Sequence, residues 1–343
     1  MSVIRRAAVI ALGVVAALVP FPAQLVERWY SGAIYPRVQR GLTGLSNLVP
    51  ISMFDVVCVL ALIAAALAMM RSVRRAGWIR GSGEAAFRIL AASAVVYLVF
   101  LATWGLNYRR VPLQEKLAFD TGRLTPSATD GLAARLVAEL NRLYMTAHAA
   151  PGSMDRLALS FSDTQRSLGA SILIVPGRPK QTLLGGYFHN AAIAGMTDPF
   201  FLETLVAPDL LEVERPFVLA HEWAHLAGYA DESEANFVAW LACTRADPDA
   251  QYSAWLTLFG HVYAATGNKR DVFKVLNAGP RIDLRAISDR YAETPRLVRF
   301  AARETYDRYL KANRVQRGIE SYDGVVQLIL GASFDRDGNP RLK

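Results

Sequence analysis

Residues 216–236 read PFVLAHEWAHLAGYADESEAN, with two histidines four positions apart. Pro216 is typical of the first turn of a helix, and Gly228 is typical of the residue that ends one. We therefore predict a helix that begins near Pro216, on which His221 and His225 share a face. Two imidazoles directed at one point suit two corners of a tetrahedral Zn²⁺ site.

Glu222 lies one position beyond the first histidine. Its carboxylate can reach a water on the metal without being a ligand itself, which is what a general base requires. The alternative interpretation is that His221 and His225 are ordinary core residues and that Glu222 pairs with an arginine. Three polar groups on an apolar helix are costly to bury, so the sequence favours a metal site with Zn²⁺ as the cofactor.

A third ligand is expected from the carboxylates that follow Gly228. Asp231 would complete a pattern similar to that of the metzincins, H-E-x-x-H-x-x-G-x-x-D. Glu232, with Asn236 four residues later, resembles the gluzincin arrangement, in which the glutamate is the ligand and the later residue braces a histidine. Glu234 is also possible, although it could form a capping box with Asp231. We favour Glu232, and Asp231 and Glu234 stay open.

The positive charge of the chain lies almost entirely in its first third. The net charge of the 343 residues is +8. Residues 1–106 carry ten basic and three acidic side chains, whereas residues 107–343 carry 28 and 27. A nucleic-acid-binding domain would need clustered Lys and Arg on its folded part, so we predict no nucleic-acid partner.

Three apolar stretches in the first third predict membrane-spanning helices. They are residues 7–26, 52–70 and 85–106. Each approaches the roughly 20 residues with which a helix crosses about 30 Å of hydrocarbon. Asp55 and Arg88, near the ends of the second and third stretches, can reach the interface. A cleaved signal peptide is the alternative for the first stretch.

The basic residues between these stretches predict the orientation. Residues 71–84 contain four arginines and one glutamate, and Arg5 and Arg6 precede the first stretch. Because cytoplasmic loops carry an excess of Lys and Arg, both segments are expected on the cytoplasmic side. Three passes then place residues 107–343 outside the cytoplasm.

The remaining chain predicts a juxtamembrane linker, residues 107–125, and a domain, residues 126–343. A helix should begin at Pro126 and continue to about His148, with leucines at helical spacing at 132, 136, 140 and 143. Short runs between 157 and 206 predict a small, mostly antiparallel sheet of three to five strands. These runs are Leu157–Phe161, Ala170–Val175 and Leu183–Phe188, with Ala191–Met196 and Phe200–Val206 as further strands or a turn of helix. Since the pattern after Pro216 is helical, the predicted fold class is α+β.

The run PFVLAHEWAHLAGYADESEANFVAWLAC resembles an uncharacterised bacterial family of membrane-anchored zincins. The C-terminal residues Tyr309-Leu310-Lys311-Ala312-Asn313, Gly318 and Ser321-Tyr322 resemble a second motif of that family. The resemblance implies a zincin-like domain with gluzincin-like peptidase activity in a bacterial inner membrane, and it favours Glu232 as the third ligand. Residues 195–200 and Glu203 replace a related Pro-Phe-Thr-Gly-Glu run, so no substrate role carries over to Glu203.

Together these features predict a membrane-anchored zinc metallopeptidase that hydrolyses peptide bonds outside the cytoplasm. Glu222 would activate a zinc-bound water, and a peptide or protein substrate would add as a strand at an edge formed by residues 189–197. Candidate donors to the developing oxyanion are Tyr322, His261, Tyr291 and His189.

Two alternatives remain at this point. One is a non-catalytic, zinc-containing envelope sensor or scaffold. The other is an intramembrane metalloprotease, which is less favoured because the apolar run around the motif, about 15 residues, is short for a membrane span.

Overall fold

The computed structural model describes residues 2–267, 269–313 and 324–343, without the side chains of residues 75–81 and 270. Within this part the chain is mostly helical. Its N-terminal region contains α1 (Val3–Leu18), α2 (Ala23–Leu25), a π-helical segment (Val26–Ile34), α3 (Tyr35–Ser46) and α4 (Met53–Thr103).

Helix α4 contains two apolar halves, Met53–Arg74 and Ser82–Thr103, each long enough to cross a membrane. The two halves approach each other near residues 72 and 88, where the Arg88 guanidinium donates a hydrogen bond to Ser72 Oγ at 3.4 Å. Residues sixteen positions apart on a straight helix would lie about 24 Å apart, so the chain reverses direction between the halves. The second and third predicted spans are therefore confirmed as candidate membrane helices.

The first predicted span, residues 7–26, is broken. Helix α1 has 16 residues and ends at Leu18, before Pro20 and Pro22. The helical chain that follows, Ala23–Ser46, is bent from α1 by 106°, so the pair could form one broken span or a re-entrant loop. The two prolines explain the break, since proline lacks the amide hydrogen and clashes with the preceding turn.

The rest of the chain adds eleven α-helices within the described residues. They are α5 (Leu113–Lys116), α6 (Pro126–Ala149), α7 (Met154–Ser167), α8 (Gly185–Ala191), α9 (Arg215–Leu226), α10 (Glu232–Cys243), α11 (Pro248–Ala265), α12 (Lys269–Lys274), α13 (Ala278–Ala292), α14 (Arg296–Ala312) and α15 (Gly324–Gly331). Two 3₁₀ turns, Gly105–Arg109 and Thr121–Arg123, flank α5. Helix α6 confirms its prediction: Thr125 caps it, and the four leucines of the stripe are buried.

The sheet has three strands, the lower end of the predicted range, and it is mixed instead of mostly antiparallel. It consists of β1 (Pro179–Lys180), β2 (Gly195–Thr197) and β3 (Thr204–Val206) in the order β1-β3-β2. Strand β1 is parallel to β3, whereas β2 is antiparallel to it. Strand β2 therefore forms an edge of the sheet, within the segment predicted to be one.

Three of the predicted strands are wrong. Leu157–Phe161 lies inside α7, where Leu157 and Phe161 are buried one turn apart, so the apolar period was helical. Most of Leu183–Phe188 belongs to α8. Ala170–Val175 is not a strand, since side chains take the place of a partner strand: Gln165 accepts from the Ile174 amide and Gln39 from the Val175 amide.

One hydrophobic core joins the membrane-side segments to the domain. Tyr35, Phe100 and Trp104 are buried in the same cluster as α6, α9, α10 and α11. The segment 107–125, expected to run along the surface, also enters this core through Leu113 and Leu117, which have no exposed surface. The apolar helices and the domain are therefore continuous in their packing.

A buried ion pair anchors the start of α4. Glu203 lies at 2.6 Å from the Lys180 ammonium, and both side chains are almost fully buried. The same carboxylate accepts from the backbone amides of Met53 and Phe54 at 3.0 Å, at the N-terminus of α4. Burial alone would raise the pKa of Glu203, but Lys180 and these amides hold it below its ordinary value. Glu203 therefore has a structural role at this junction.

We expect Glu203→Gln to destabilise the protein by about 3–5 kcal/mol, because it leaves the Lys180 ammonium buried without a counter-charge. Thermal unfolding of the full chain in detergent measures this loss. The matched control is Asp163→Asn, which removes an exposed ion pair with Arg166 and should cost less than about 1 kcal/mol. Equal midpoints for the two variants would contradict the anchoring role.

Candidate metal centre

A tight reversal brings α10 back against α9. Gly228 adopts φ +82°, a left-handed conformation that glycine tolerates. The amides of Gly228 and Tyr229 bond to the His225 and Ala224 carbonyls and close the end of α9. Asp231 then caps α10 by accepting from the amides of Ser233 and Glu234. Five residues thus separate the last residue of α9 from the first of α10.

This reversal places Glu232 opposite the two histidines of α9. The His221 and His225 Nε2 atoms lie 3.1 Å apart, and Glu232 Oε2 lies 3.3 Å from the first and 3.6 Å from the second. Ligand atoms about 2.0–2.1 Å from a tetrahedral zinc ion lie about 3.3–3.4 Å from one another. The three atoms therefore have the spacing of one face of such a tetrahedron.

The hydrogen bonds of His225 fix its tautomer. Its Nδ1 donates to the Tyr229 carbonyl oxygen at 2.7 Å, so Nε2 is the nitrogen that faces Glu232 and that could bind a metal after losing its proton. Bonds of this kind orient metal-ligating histidines. Burial alone would lower the pKa of His225, but the Glu232 carboxylate raises it to about 9 in the protein without metal. A cation would supply the positive charge that a proton supplies otherwise.

The structure distinguishes the three carboxylates that the sequence left open. The Asp231 carboxylate is used as the cap of α10, and Glu234 accepts from the Leu113 amide. Glu234 is therefore not part of a capping box, and burial raises its pKa to about 7. Burial alone would also raise the pKa of Glu232, but the two imidazoles hold it well below its ordinary value. Of the three, Glu232 is the one grouped with His221 and His225.

Glu222 faces the same cluster from α9. Thr197 of β2 donates to Glu222 Oε2 at 2.9 Å. Gly195 gives the carboxylate room in this position, since a Cβ there would lie 2.7 Å from Glu222 Oε1 and would displace it. Burial raises the pKa of Glu222, and the two imidazoles oppose that shift. The carboxylate is therefore buried, oriented and next to the edge strand.

Tyr306 of α14 is a contact that the sequence analysis missed. Its hydroxyl donates to Glu232 Oε1, which leaves Oε2 for the histidines. Tyr306 lies three residues before Tyr309, the first residue of the C-terminal motif, and the two rings are stacked. The nearby motif could have drawn attention to this part of the chain, but nothing in it indicates that the Tyr306 hydroxyl reaches Glu232 of α10.

Residues from the membrane-side region complete the end of α9. The last carbonyls of a helix lack intrahelical partners. Trp104 Nε1 donates to the His225 carbonyl at 2.9 Å, and the Tyr35 hydroxyl donates to the Leu226 carbonyl at 2.8 Å. The last turn of the helix that carries both histidines is thus held by residues of the N-terminal region.

The candidate oxyanion donors are dispersed. His189 is hydrogen-bonded to Asp209, Tyr291 lies beside the Arg290 guanidinium, and His261 lies in α11. Tyr322 falls outside the described residues. Among the phenols with described contacts, Tyr306 touches the cluster.

The cluster fits a metal ion by its donors as well as by its spacing. Glu232 Oε2 is buried without a hydrogen-bond partner, and a buried acceptor of this kind needs compensation. Two imidazoles and one carboxylate are ligands that zinc takes in catalytic sites, where a fourth position stays open. His221, His225 and Glu232 could therefore hold a divalent cation.

Comparison with known proteins gives one match. The sequence model of the DUF3810 family, described as a protein of unknown function, matches residues 30–330. No curated protein and no solved structure matches the chain. The matched region contains the whole cluster and α4 but begins after α1.

We expect the purified protein to bind one zinc ion per chain. The His221→Ala variant should lose this ion, because only His225 and Glu232 would remain to hold it. Elemental analysis after dialysis measures the ratio. His148→Ala is the matched control, since His148 contacts Tyr144 and Asp283 instead. Equal zinc content in wild type and His221→Ala would contradict the site.

Removing the Tyr306 hydroxyl should weaken metal binding by about 10–100-fold, the usual effect of losing a group that orients a ligand. Competition with a zinc chelator measures the affinity of Tyr306→Phe. The control is Tyr309→Phe, one turn along α14, whose hydroxyl is bonded to Tyr108. A similar loss in both variants would indicate a general effect of altering α14.

Proposed function

This chain belongs to the DUF3810 family, and we propose that it is a membrane-anchored zinc metallopeptidase with His221, His225 and Glu232 as ligands and Glu222 as general base. The observation that carries the proposal is the near-tetrahedral spacing of the three candidate ligand atoms, 3.1, 3.3 and 3.6 Å, with the Glu222 carboxylate on the same helix as the two histidines. The H-E-x-x-H order on α9 supports the same assignment of roles.

A zinc ion bound here would supply Lewis acidity, which makes water an effective nucleophile near neutral pH. The chain's own contribution is to hold and move protons. Glu222 would take a proton from the attacking water and pass it to the leaving amine. A carboxylate with a raised pKa suits both steps, because proton transfer is most efficient when the pKa lies near the working pH. The hydrogen bond from Thr197 orients this carboxylate.

The proposed substrate is an extended peptide bound along β2. Strand β2 lies at the edge of the sheet, and its last residue is hydrogen-bonded to Glu222. A peptide added to this edge would be held by main-chain hydrogen bonds, the β-augmentation mode. Its carbonyl groups would then pass close to the metal cluster.

We also propose that the domain lies outside the cytoplasm of a bacterial cell, anchored in the inner membrane. Gly13 of α1 packs against Ala94, and the Arg109 guanidinium donates to the Ala16 carbonyl. Helix α1 and the second half of α4 thus run in the same direction, toward the domain. Their other ends carry the arginines of residues 5–6 and 71–80, which favour the cytoplasmic side.

Two observations weigh against the alternatives. A purely structural zinc site closes four positions with protein ligands and needs no general base, whereas Glu222 lies oriented beside three ligands. An intramembrane protease would need its motif in a span. Helix α9 has 12 residues, about 18 Å of helix, which is short of the hydrocarbon thickness.

We expect Glu222→Gln to keep zinc and fold while kcat/KM falls by about 10²–10⁴-fold, the usual contribution of a general base. Mass spectrometry of an unstructured protein substrate, incubated with the full chain in detergent, measures cleavage. Glu212→Gln, the same change at an exposed position, should keep activity. Hydrolysis by the Glu222→Gln variant at the wild-type rate would overturn the proposed function.

A further inference from the structure

An apolar surface lies around the start of α4, with the exposed Arg178 guanidinium at its border, where it donates to the Asn47 carbonyl. Two segments that are distant in sequence form it, residues 41–54 and 181–188, and neither contains Asp, Glu, Lys, Arg or His. We name its exposed side chains the apolar rim: Leu45, Leu48, Ile51, Leu183, Leu184 and Tyr187. Soluble domains contain roughly 25% charged residues, most of them on the surface, so the two uncharged segments are unusual for a surface that faces water.

Specific hydrogen bonds hold the rim at the first turn of α4. The Asp55 carboxylate accepts from Thr182 Oγ1 at 2.8 Å and from the Leu183 amide at 2.7 Å. The Lys180 ammonium donates to the Ile51 carbonyl at 3.2 Å. Leu183 and Ile51 therefore lie beside Met53, where the apolar half Met53–Arg74 begins.

The rim continues into the lipid-facing surface of that helix. Val56, Val57 and Leu60, in the next two turns of α4, are exposed in the same way. Any membrane that accommodates Met53–Arg74 ends close to the level of Asp55, because a helix rises about 5.4 Å per turn. The rim is thus continuous with the exposed apolar surface of a candidate span. Large exposed apolar patches usually mark sites of interaction with a membrane, a protein or a ligand.

We propose that the apolar rim inserts into the bilayer surface and seats the domain against the membrane. The occupant is the lipid bilayer, since the patch continues the surface of a candidate span and its two segments contain no charged residue. A guanidinium at the border, that of Arg178, suits the level of the lipid headgroups. Tyr187 also has the amphipathic side chain that favours the boundary between lipid and water. Leucine and isoleucine supply the apolar area that drives such insertion.

The metal cluster lies close to this boundary. Thr103, the last residue of α4, donates to the Pro199 carbonyl at 2.8 Å. Pro199 is two residues from Thr197, so their Cα atoms lie within about 7 Å, and Thr197 contacts Glu222. The seated domain would therefore favour peptides held at the bilayer surface as substrates. This consequence rests on the proposed function, whereas the lipid contact does not.

A probe at one rim residue tests the contact in the full chain. Cys58 and Cys243 are free, and Cys243 is buried, so Cys58→Ala provides a background for labelling. Leu183→Cys, labelled with the polarity-sensitive fluorophore NBD, is compared with Leu159→Cys in lipid nanodiscs. Leu159 is the matched control because its side chain is 66% exposed, against 79% for Leu183, and it lies one turn from both Arg156 and Asp163.

We expect the Leu183 probe to emit at shorter wavelength than the Leu159 probe and to be quenched by lipids with brominated acyl chains. The Leu159 probe should respond only to an aqueous quencher. Tyr187→Cys gives a second rim position if Leu183→Cys does not fold. Because no readout needs activity, the Glu222→Gln chain should give the same result, which separates this proposal from the proposed function.

Two results would overturn the proposal. The first is a Leu183 probe that behaves like the Leu159 probe toward both quenchers. The second is a short-wavelength emission that brominated lipid leaves unchanged and that is lost at one chain per nanodisc. That result would assign the rim to contact with a second copy of the chain.

Discussion

An ionised carboxylate between two imidazoles is the interaction around which the domain is arranged. Glu232 is 2% exposed, and a buried charge costs several kcal/mol unless an opposite charge compensates it. Compensation requires α9 and α10 to keep a fixed separation. The reversal at Gly228 and the complete burial of α10 provide that separation.

Residues of the N-terminal helices and of the segment that follows α4 help to hold this cluster in place. Tyr35 and Trp104 donate hydrogen bonds to the backbone carbonyls at the end of α9. Arg110 donates to the Gly228 carbonyl and pairs with Glu27, which holds the reversal itself from the same side. Because these bonds cross from the apolar helices into the domain, a change in how the helices pack would directly reach the end of α9, which carries His225.

Elements could be predicted where apolar residues repeat with a clear helical period. They could not be predicted where the backbone is held by residues that are far away in the sequence. The leucine stripe was sufficient to predict α6, since its four leucines lie on one face of the helix. The short apolar runs between residues 157 and 206 were not sufficient to predict strands. Leu157–Phe161 has the length of a strand but repeats with a helical period, and the extended backbone near Ile174 and Val175 is bonded by glutamine side chains 9 and 136 positions away. The first apolar stretch was predicted as one span, but Pro20 and Pro22 break its helix.

The sequence by itself determined the grouping of His221, Glu222 and His225, because residues within one helical turn have their relative positions fixed by helix geometry. It also determined the apolar halves of α4 by composition and length. Only the tertiary structure decided which of Asp231, Glu232 and Glu234 faces the histidines, and that Tyr306 and Thr197 contact the resulting cluster. These outcomes depend on how separate elements pack, and neither local spacing nor residue type specifies that packing.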